Sequence, residues 1–358
     1  MLKVGVIMGG VSSEYEVSLN TGKEMLKHLD RSKYEAVPVI IEERGQLVEA
    51  VKGLDFALLA LHGAYGEDGT VQGTLETLGI PYSGSGVLAS SVCMDKHLSK
   101  TILRSTGVLT PDWLCWDSME DYSEEAVGQL GYPVMVKPNS GGSSIGMSKV
   151  DNAEGLREAV EKAFAEDRAI LIEAFTEGQE ITCAILGGEL LPVIGIQSLG
   201  AEWFDYSAKY EQGGADEQVI QLSPGTHERV RTAAFACYKA LKCSVYARVD
   251  MLLQKGEPYV LEVNTLPGMT GTSLLPRSAA AAGYTFSGLL DAIIEGSLRE
   301  RGEGAGRSKG AAGENAELMQ KGDGPGEAVA EGYNTEAEAA GAHAATEEIG
   351  IREVTSHV

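Results

Sequence analysis

Val245-Tyr246-Ala247-Arg248-Val249-Asp250-Met251-Leu252-Leu253, followed by Tyr259-Val260-Leu261-Glu262-Val263-Asn264, decides how this chain is read. Both runs have the apolar and β-branched content of neighbouring strands. Side chains alternate faces along a strand, so Arg248 and Asp250 share one face, as do Glu262 and Asn264. Taking Lys255-Gly256-Glu257 as the hairpin turn pairs Gln254 with Pro258. Counting back sets Asp250 opposite Glu262 and Arg248 opposite Asn264. Opposed side chains lie roughly 5 Å apart, and opposed like charges repel. A divalent cation resolves that conflict. Two carboxylates and an amide carbonyl suit magnesium, with phosphate and water completing its shell. Alone, the pattern more often marks solvated polar residues on an open sheet, so its surroundings must decide.

The next segment, Thr265-Leu266-Pro267-Gly268-Met269-Thr270-Gly271-Thr272-Ser273-Leu274, leaves the second strand for a glycine-bearing loop. Backbone N–H groups there could face a developing oxyanion. Upstream, Lys137 ends an apolar strand and precedes Pro138-Asn139-Ser140-Gly141-Gly142-Ser143-Ser144-Ile145-Gly146. A lysine beside a Gly/Ser loop suits phosphate, which bare N–H groups and hydroxyls can wrap. Lys96 in Met94-Asp95-Lys96-His97 is a second candidate. Neither GxxxxGK[ST] nor an amino-terminal GxGxxG is present, which weighs against a P-loop and a dinucleotide dehydrogenase. Glu173-Ala174-Phe175 and Glu180 sit where a strand edge crosses into a new domain. Backbone groups there could read adenine, and a carboxylate could hold ribose.

Further outward, strands are expected at 2–8, 35–41 and 55–61, with a helix at 16–29, as parallel βαβ units. A helix is expected at 91–105. Strands 133–137 and 169–173 flank the glycine-serine loop and a helix at 153–166. Strands at 180–187 and 190–197, a long irregular segment at 198–222, and a helix at 227–242 precede the hairpin. A last helix, 285–298, carries Phe286, Leu289, Leu290, Ile293 and Ile294 on one face. From 299 the chain is Gly-, Ala- and Glu-rich and is expected to be a disordered acidic tail.

The 358 residues carry a formal net charge of −23, which argues against a nucleic-acid surface and against anionic lipid. No apolar run approaches the roughly 20 residues of a membrane span. No signal peptide is evident, and five cysteines without CxxC spacing read as reduced thiols of a cytoplasmic protein.

Taken together, five motifs resemble the D-alanine–D-alanine ligases of the ATP-grasp superfamily, over about residues 2–298. They are Gly9-Gly10-Val11-Ser12-Ser13-Glu14-Tyr15-Glu16-Val17-Ser18, Leu61-His62-Gly63-Ala64-Tyr65-Gly66-Glu67-Asp68-Gly69, Lys137 through Gly146, Asp205-Tyr206-Ser207-Ala208-Lys209-Tyr210, and the hairpin with its following loop. The resemblance implies an α/β (α+β) three-domain ATP-grasp fold with an N-terminal parallel-sheet domain. Its parts would be a substrate-binding domain at 1–91, an ATP-binding domain at 92–177 and a catalytic domain at 178–298, followed by the tail at 299–358. The implied activity is ATP-dependent joining of two D-alanines through a D-alanyl phosphate, for peptidoglycan precursors. The protein would be a cytoplasmic homodimer using two Mg2+ or Mn2+ ions.

Residue by residue, the resemblance gives Asp250, Glu262 and Asn264 to two metal ions, with Glu262 bridging. Lys96, Lys137, Ser143 and Ser144 would hold the ATP phosphates, and Glu173, Phe175 (through its backbone) and Glu180 the adenosine. Glu14 would meet the ammonium of the first D-alanine and join Ser143 and Tyr210 in closing the site. His62 would lie near that substrate. Lys209 and Ser273 would hold the second D-alanine carboxylate, and Arg248 with the Gly268 N–H the oxyanion. Residues 200–222, with Trp203, Phe204 and Tyr206, are long enough for a lid. Tyr210 favours the dipeptide over D-alanyl-D-lactate. Another ATP-grasp carboxylate–amine ligase, a D-alanine–D-lactate ligase and a nucleotide-binding regulator without turnover are the competing readings.

Overall fold

The computed structural model describes residues 1–142, 144–198 and 215–302. The chain opens with a parallel sheet of β1 (Leu2–Gly9), β2 (Tyr34–Ile41) and β3 (Phe56–Leu59), in the order β2-β1-β3. Val4, Val6, Ile7 and Met8 of the central strand are buried on both faces, as a covered parallel sheet requires. The helix Tyr15–His28 follows β1 and packs on it. A Cβ at Gly22 would lie 2.7 Å from Met8, so glycine sets the closeness of that contact. Two short helices, Gln46–Ala50 and Thr70–Leu78, carry no strong periodicity and were not expected.

The single helix expected at 91–105 is two, Val87–Met94 and Lys96–Ser105. Asp95 breaks it. Its backbone is extended (φ −84°, ψ 104°), and its side chain accepts the Leu98 N–H at 2.8 Å. An N-cap satisfies a donor that a continuing helix would have bonded internally. Asn139 takes two more first-turn donors: its carbonyl accepts the Lys96 N–H at 3.1 Å and its Oδ1 the His97 N–H at 2.9 Å. Lys96 is thereby fixed against the loop that follows Lys137.

A four-stranded antiparallel sheet comes next. It contains β4 (Trp113–Trp116), β5 (Val134–Pro138), β6 (Ser148–Val150) and β7 (Ile170–Ala174), in the order β4-β7-β5-β6. The helices Glu124–Leu130 and Leu156–Phe164 cover it, burying Val127, Leu156 and Val160 against Val134, Val136, Ile170 and Ile172.

The third sheet holds β8 (Gln179–Leu186), β9 (Glu189–Leu190), β10 (Ile194–Ser198), β11 (Ala215–Val219), β12 (Tyr246–Gln254) and β13 (Glu257–Asn264). Its order is β11-β10-β8-β12-β13, with β9 beside β8. The strand expected over 190–197 is broken around Pro192, which has no N–H to give a ladder. Residues 215–219, expected to be irregular, form β11 on β10; polar Asp216, Glu217 and Gln218 are tolerated because the strand is at the edge. The helix Pro224–Ala240 starts three residues before the expected 227, with Ser223 capping the Thr226 N–H and Pro224 in the first turn.

The hairpin reaches the expected register by another route. Lys255 (φ 51°) and Gly256 (φ 85°) make a two-residue turn, so Gln254 pairs with Glu257 rather than with Pro258. A bulge at Leu261 then restores the count. Asp250 stands opposite Glu262, and Arg248 opposite Asn264.

After the unexpected helix Leu274–Ala281, a final helix spans 286–302. Leu289, Leu290, Ile293 and Ile294 bury themselves in the core of the first sheet, beside Val4, Val6 and Tyr82. The helix passes 299, where a disordered tail was expected to begin; 303–358 lie outside the described residues. All five cysteines are free, and no helix among the described residues is long and apolar enough to cross a membrane.

Candidate active site

Asp250 is the polar centre of the third sheet, only 7% exposed. Arg248 grips it with Nε to Oδ1 at 2.9 Å and Nη2 to Oδ2 at 2.7 Å. Asn264 Nδ2 donates to Oδ2 at 3.0 Å, and Thr182 Oγ1 to Oδ1 at 2.6 Å. These bonds put Arg248, Asp250 and Asn264 on one face. Burial works against the Arg248 charge, but the carboxylates of Asp250, Glu262 and Glu67 together outweigh it and raise the guanidinium above its usual range. Glu262 lines the same cavity as Asp250, and Lys96 Nζ stands 3.4 Å from Glu262 Oε2.

The cavity measures about 1030 Å3. Its floor comes from the second sheet. Lys137 Nζ donates to Glu173 Oε1 at 3.0 Å, and Lys96 Nζ to the Gly141 carbonyl. Sequence reasoning missed Lys100, one turn beyond Lys96. Its ammonium bonds Glu173 Oε2 and donates to Thr110 Oγ1 at 2.6 Å. A lysine repeating at helical spacing beside a candidate phosphate lysine was the available signal. Burial brings Lys100 down to about 8. For Glu173, burial raises the carboxyl, and Lys100 and Lys137 together more than reverse it.

The first sheet supplies the opposite wall. Glu14 precedes the helix Tyr15–His28 without a side-chain cap bond and is 8% exposed. Its carboxylate lies between two glycines: a Cβ on Gly63 would meet Glu14 Oε2 at 2.7 Å, and one on Gly142 at 3.1 Å. Those loops approach Glu14 this closely only because they lack side chains. His62 is buried, with Nε2 3.0 Å from Thr21 Oγ1 and Nδ1 3.9 Å from Glu67 Oε1. Burial, then the Arg248 charge, lowers its pKa to about 4, so the ring is neutral at pH 7. Glu67, for which the sequence suggests no role, stands in the cavity wall. Burial and then the Glu14 charge push it up to about 8.

Ser144, Phe175, Glu180, Gly268 and Ser273 also line the cavity. The Phe175 N–H is given to the Pro133 carbonyl at 3.0 Å, which leaves its carbonyl as the backbone group that could read a base. Ser273 Oγ accepts the Thr270 N–H at 3.0 Å, and a Cβ on Gly268 would lie 3.0 Å from it. Ser143, Lys209, Tyr210 and most of the expected lid, with Trp203, Phe204 and Tyr206, lie outside the described residues.

Among the described residues no group of three or more His, Cys, Asp or Glu is gathered as a metal site. Asp250, Glu262 and Asn264 nonetheless fit a hard cation. Two opposed carboxylates and an amide share one face, and the positive charge beside them comes from Arg248 and Lys96.

Family models fit this chain. The D-ala D-ala ligase C-terminus model matches residues 102–295, and the D-ala D-ala ligase N-terminus model matches 3–53 and 45–85. The D-alanine--D-alanine ligase of Bacillus anthracis is 57% identical over 302 residues, covering 84% of this chain and 99% of that protein. A crystal structure of D-alanine--D-alanine ligase from the same organism superposes with a TM-score of 0.79, covering 85% of this chain and 99% of the other at 57% identity. A second crystal structure, complexed with ATP, gives 0.78 with the same coverage at 54% identity. The chain belongs to the D-alanine–D-alanine ligase family.

Proposed function

We propose that this protein joins two D-alanines at the expense of ATP, through a D-alanyl phosphate, to supply the dipeptide for cell-wall synthesis. One observation carries the reading: a single cavity gathers the Arg248–Asp250–Glu262–Asn264 face, the lysines 96 and 137, and Glu14. Family membership and the ATP complex of a related ligase support it.

The chemistry follows from charge. A carboxylate is a poor electrophile, so the first D-alanine attacks the γ-phosphorus and ADP leaves. Lys96 and Lys137 neutralise the phosphates during that transfer. Asp250, Glu262 and Asn264 would hold two magnesium or manganese ions, which supply further charge neutralisation when bound. Ser144 belongs to the phosphate loop, as does Ser143 by sequence. Glu173, the Phe175 carbonyl and Glu180 line the adenosine side. Glu14 holds the first ammonium, with neutral His62 beside it. The second amine then attacks the acyl carbon and phosphate leaves. Arg248 and the Gly268 N–H stabilise the tetrahedral oxyanion, each good donor contributing about 3–4 kcal/mol. Ser273, with Lys209 by sequence, holds the second carboxylate. Acyl phosphate hydrolyses readily, so water must be kept out.

The three-domain division, at 1–91, 92–177 and 178–298, is part of this reading; one sheet in each segment supports it. So are the cytoplasmic homodimer, supported by family membership, and the preference for D-alanine over D-lactate, supported by Tyr210. The test is ADP release with D-alanine, D-lactate or L-alanine as acceptor, with products identified by mass. D-Alanyl-D-alanine in step with ADP is expected. No ADP release with D-alanine would contradict the proposal.

A further inference from the structure

We infer that Lys100 is a positioning residue for ATP, acting through Glu173 to keep the charge of Lys137 available to phosphate. The inference rests on the reading above only in taking ATP as the ligand.

Lys100 is 1% exposed, Glu173 3% and Lys137 5%. Such burial is costly for three charged groups unless each is paired. The pairing is divided between the two oxygens of one carboxylate. Lys100 takes Glu173 Oε2 and Lys137 takes Oε1. Lys100 is itself held in place, by Thr110 Oγ1 and by the Trp113 ring, whose centroid is 5.0 Å from its ammonium. Lys137 and Glu173 line the cavity, whereas Lys100 stands behind them in the wall. Two lysines on one carboxylate leave a net charge of one positive unit. Without Lys100, Glu173 would cancel Lys137, and the phosphates would meet a neutral pair. Lys100 thus faces no ligand, yet it sets how much charge Lys137 presents.

The experiment is calorimetric ATP affinity in the presence of magnesium, with melting temperature measured alongside, for wild type, Lys100→Met, Lys100→Arg, Glu173→Gln and the double variant Lys100→Met/Glu173→Gln. Lys100→Met should weaken ATP binding by about tenfold or more. Lys100→Arg should stay closer to wild type. Glu173→Gln also takes a carboxylate from the adenosine side, so the double variant is read against Glu173→Gln alone: with no carboxylate left to cancel Lys137, adding Lys100→Met should change ATP affinity by no more than about threefold. D-Alanine KM should change little in any variant that turns over. If Lys100→Met fails to accumulate, the double variant carries the test. A folded double variant that binds ATP about tenfold or more weakly than Glu173→Gln alone would overturn the inference, as would unchanged affinity in Lys100→Met. Binding is read without turnover, so a wild type inactive on D-alanine would sink the proposed reaction and not this assignment.

Discussion

Asp250 and Glu262 face each other across β12 and β13 through a bulge at Leu261, not through the length of the turn that joins the strands. In a bulge two adjacent residues oppose one partner. Leu261 and Glu262 accordingly both line the cavity. The bulge adds an apolar side chain beside the carboxylate without moving the carboxylate.

Deleting Leu261 should therefore spare the polar set. Regular pairing continued from Val260 still sets Glu262 against Asp250. Loss of one Leu side chain from a ligand surface should weaken ATP binding by about ten- to a hundredfold. Calorimetry with ATP, beside manganese binding, checks this; lost metal binding with ATP affinity intact would contradict it.

Asn139 ties the loop after Lys137 to the helix that starts at Lys96. Asn139→Ala removes the acceptor of the His97 N–H and should cost about 1–2 kcal/mol of stability. ATP KM should rise more than D-alanine KM, since the first turn that carries Lys96 loses one of its two bonds to Asn139, keeping only the one to the backbone carbonyl. Urea unfolding and steady-state kinetics read the two effects.

Arg248→Lys keeps the charge but loses the two-pronged grip on Asp250. A fork that matches a carboxylate is not replaced by a point charge. Turnover should fall about a hundredfold or more, with a smaller change in ATP KM. Turnover within threefold of wild type would count against an oxyanion role.

His62 has a pKa of about 4 in the fold and about 6.5 when unfolded. Between those values the unfolded chain binds a proton that the native ring refuses. The His62 contribution is therefore complete above pH 6.5 and declines as pH falls towards 4, by at most about 3 kcal/mol. Glu67 acts in the opposite sense: its raised carboxyl favours the fold below about 4.5, and that benefit is lost as pH rises through about 8. In a Glu67→Gln background, His62→Gln should flatten the rise of stability from pH 4 to 6.5. Parallel stability curves with and without His62 would contradict this.

The long elements were legible because their apolar spacing is strong: the β1 and β2 runs, the helix Tyr15–His28 and the hairpin all stand within a few residues of expectation. Asp95 was not read as a break because the apolar positions of two helices happen to continue across it. β4 was missed because four residues give too little alternation to count. β11 was missed because an edge strand tolerates the polar residues that mark a loop. The opposition of Asp250 and Glu262 was reached through a three-residue turn that does not form; the bulge made up the missing residue. Lys100 looked like one more charged residue on a helix. Its importance comes from Glu173, 73 positions away, which spacing along one helix cannot disclose.

In the proposed reaction Asp250, Glu262 and Asn264 gather metal ions against the terminal phosphates of ATP. Electron paramagnetic resonance of Mn2+, titrated into the protein with a non-hydrolysable ATP analogue, counts those ions directly. Two bound ions are expected per wild-type chain and at most one, weakly held, in Glu262→Gln, with the fold retained. Two ions bound with unchanged affinity in Glu262→Gln would contradict it.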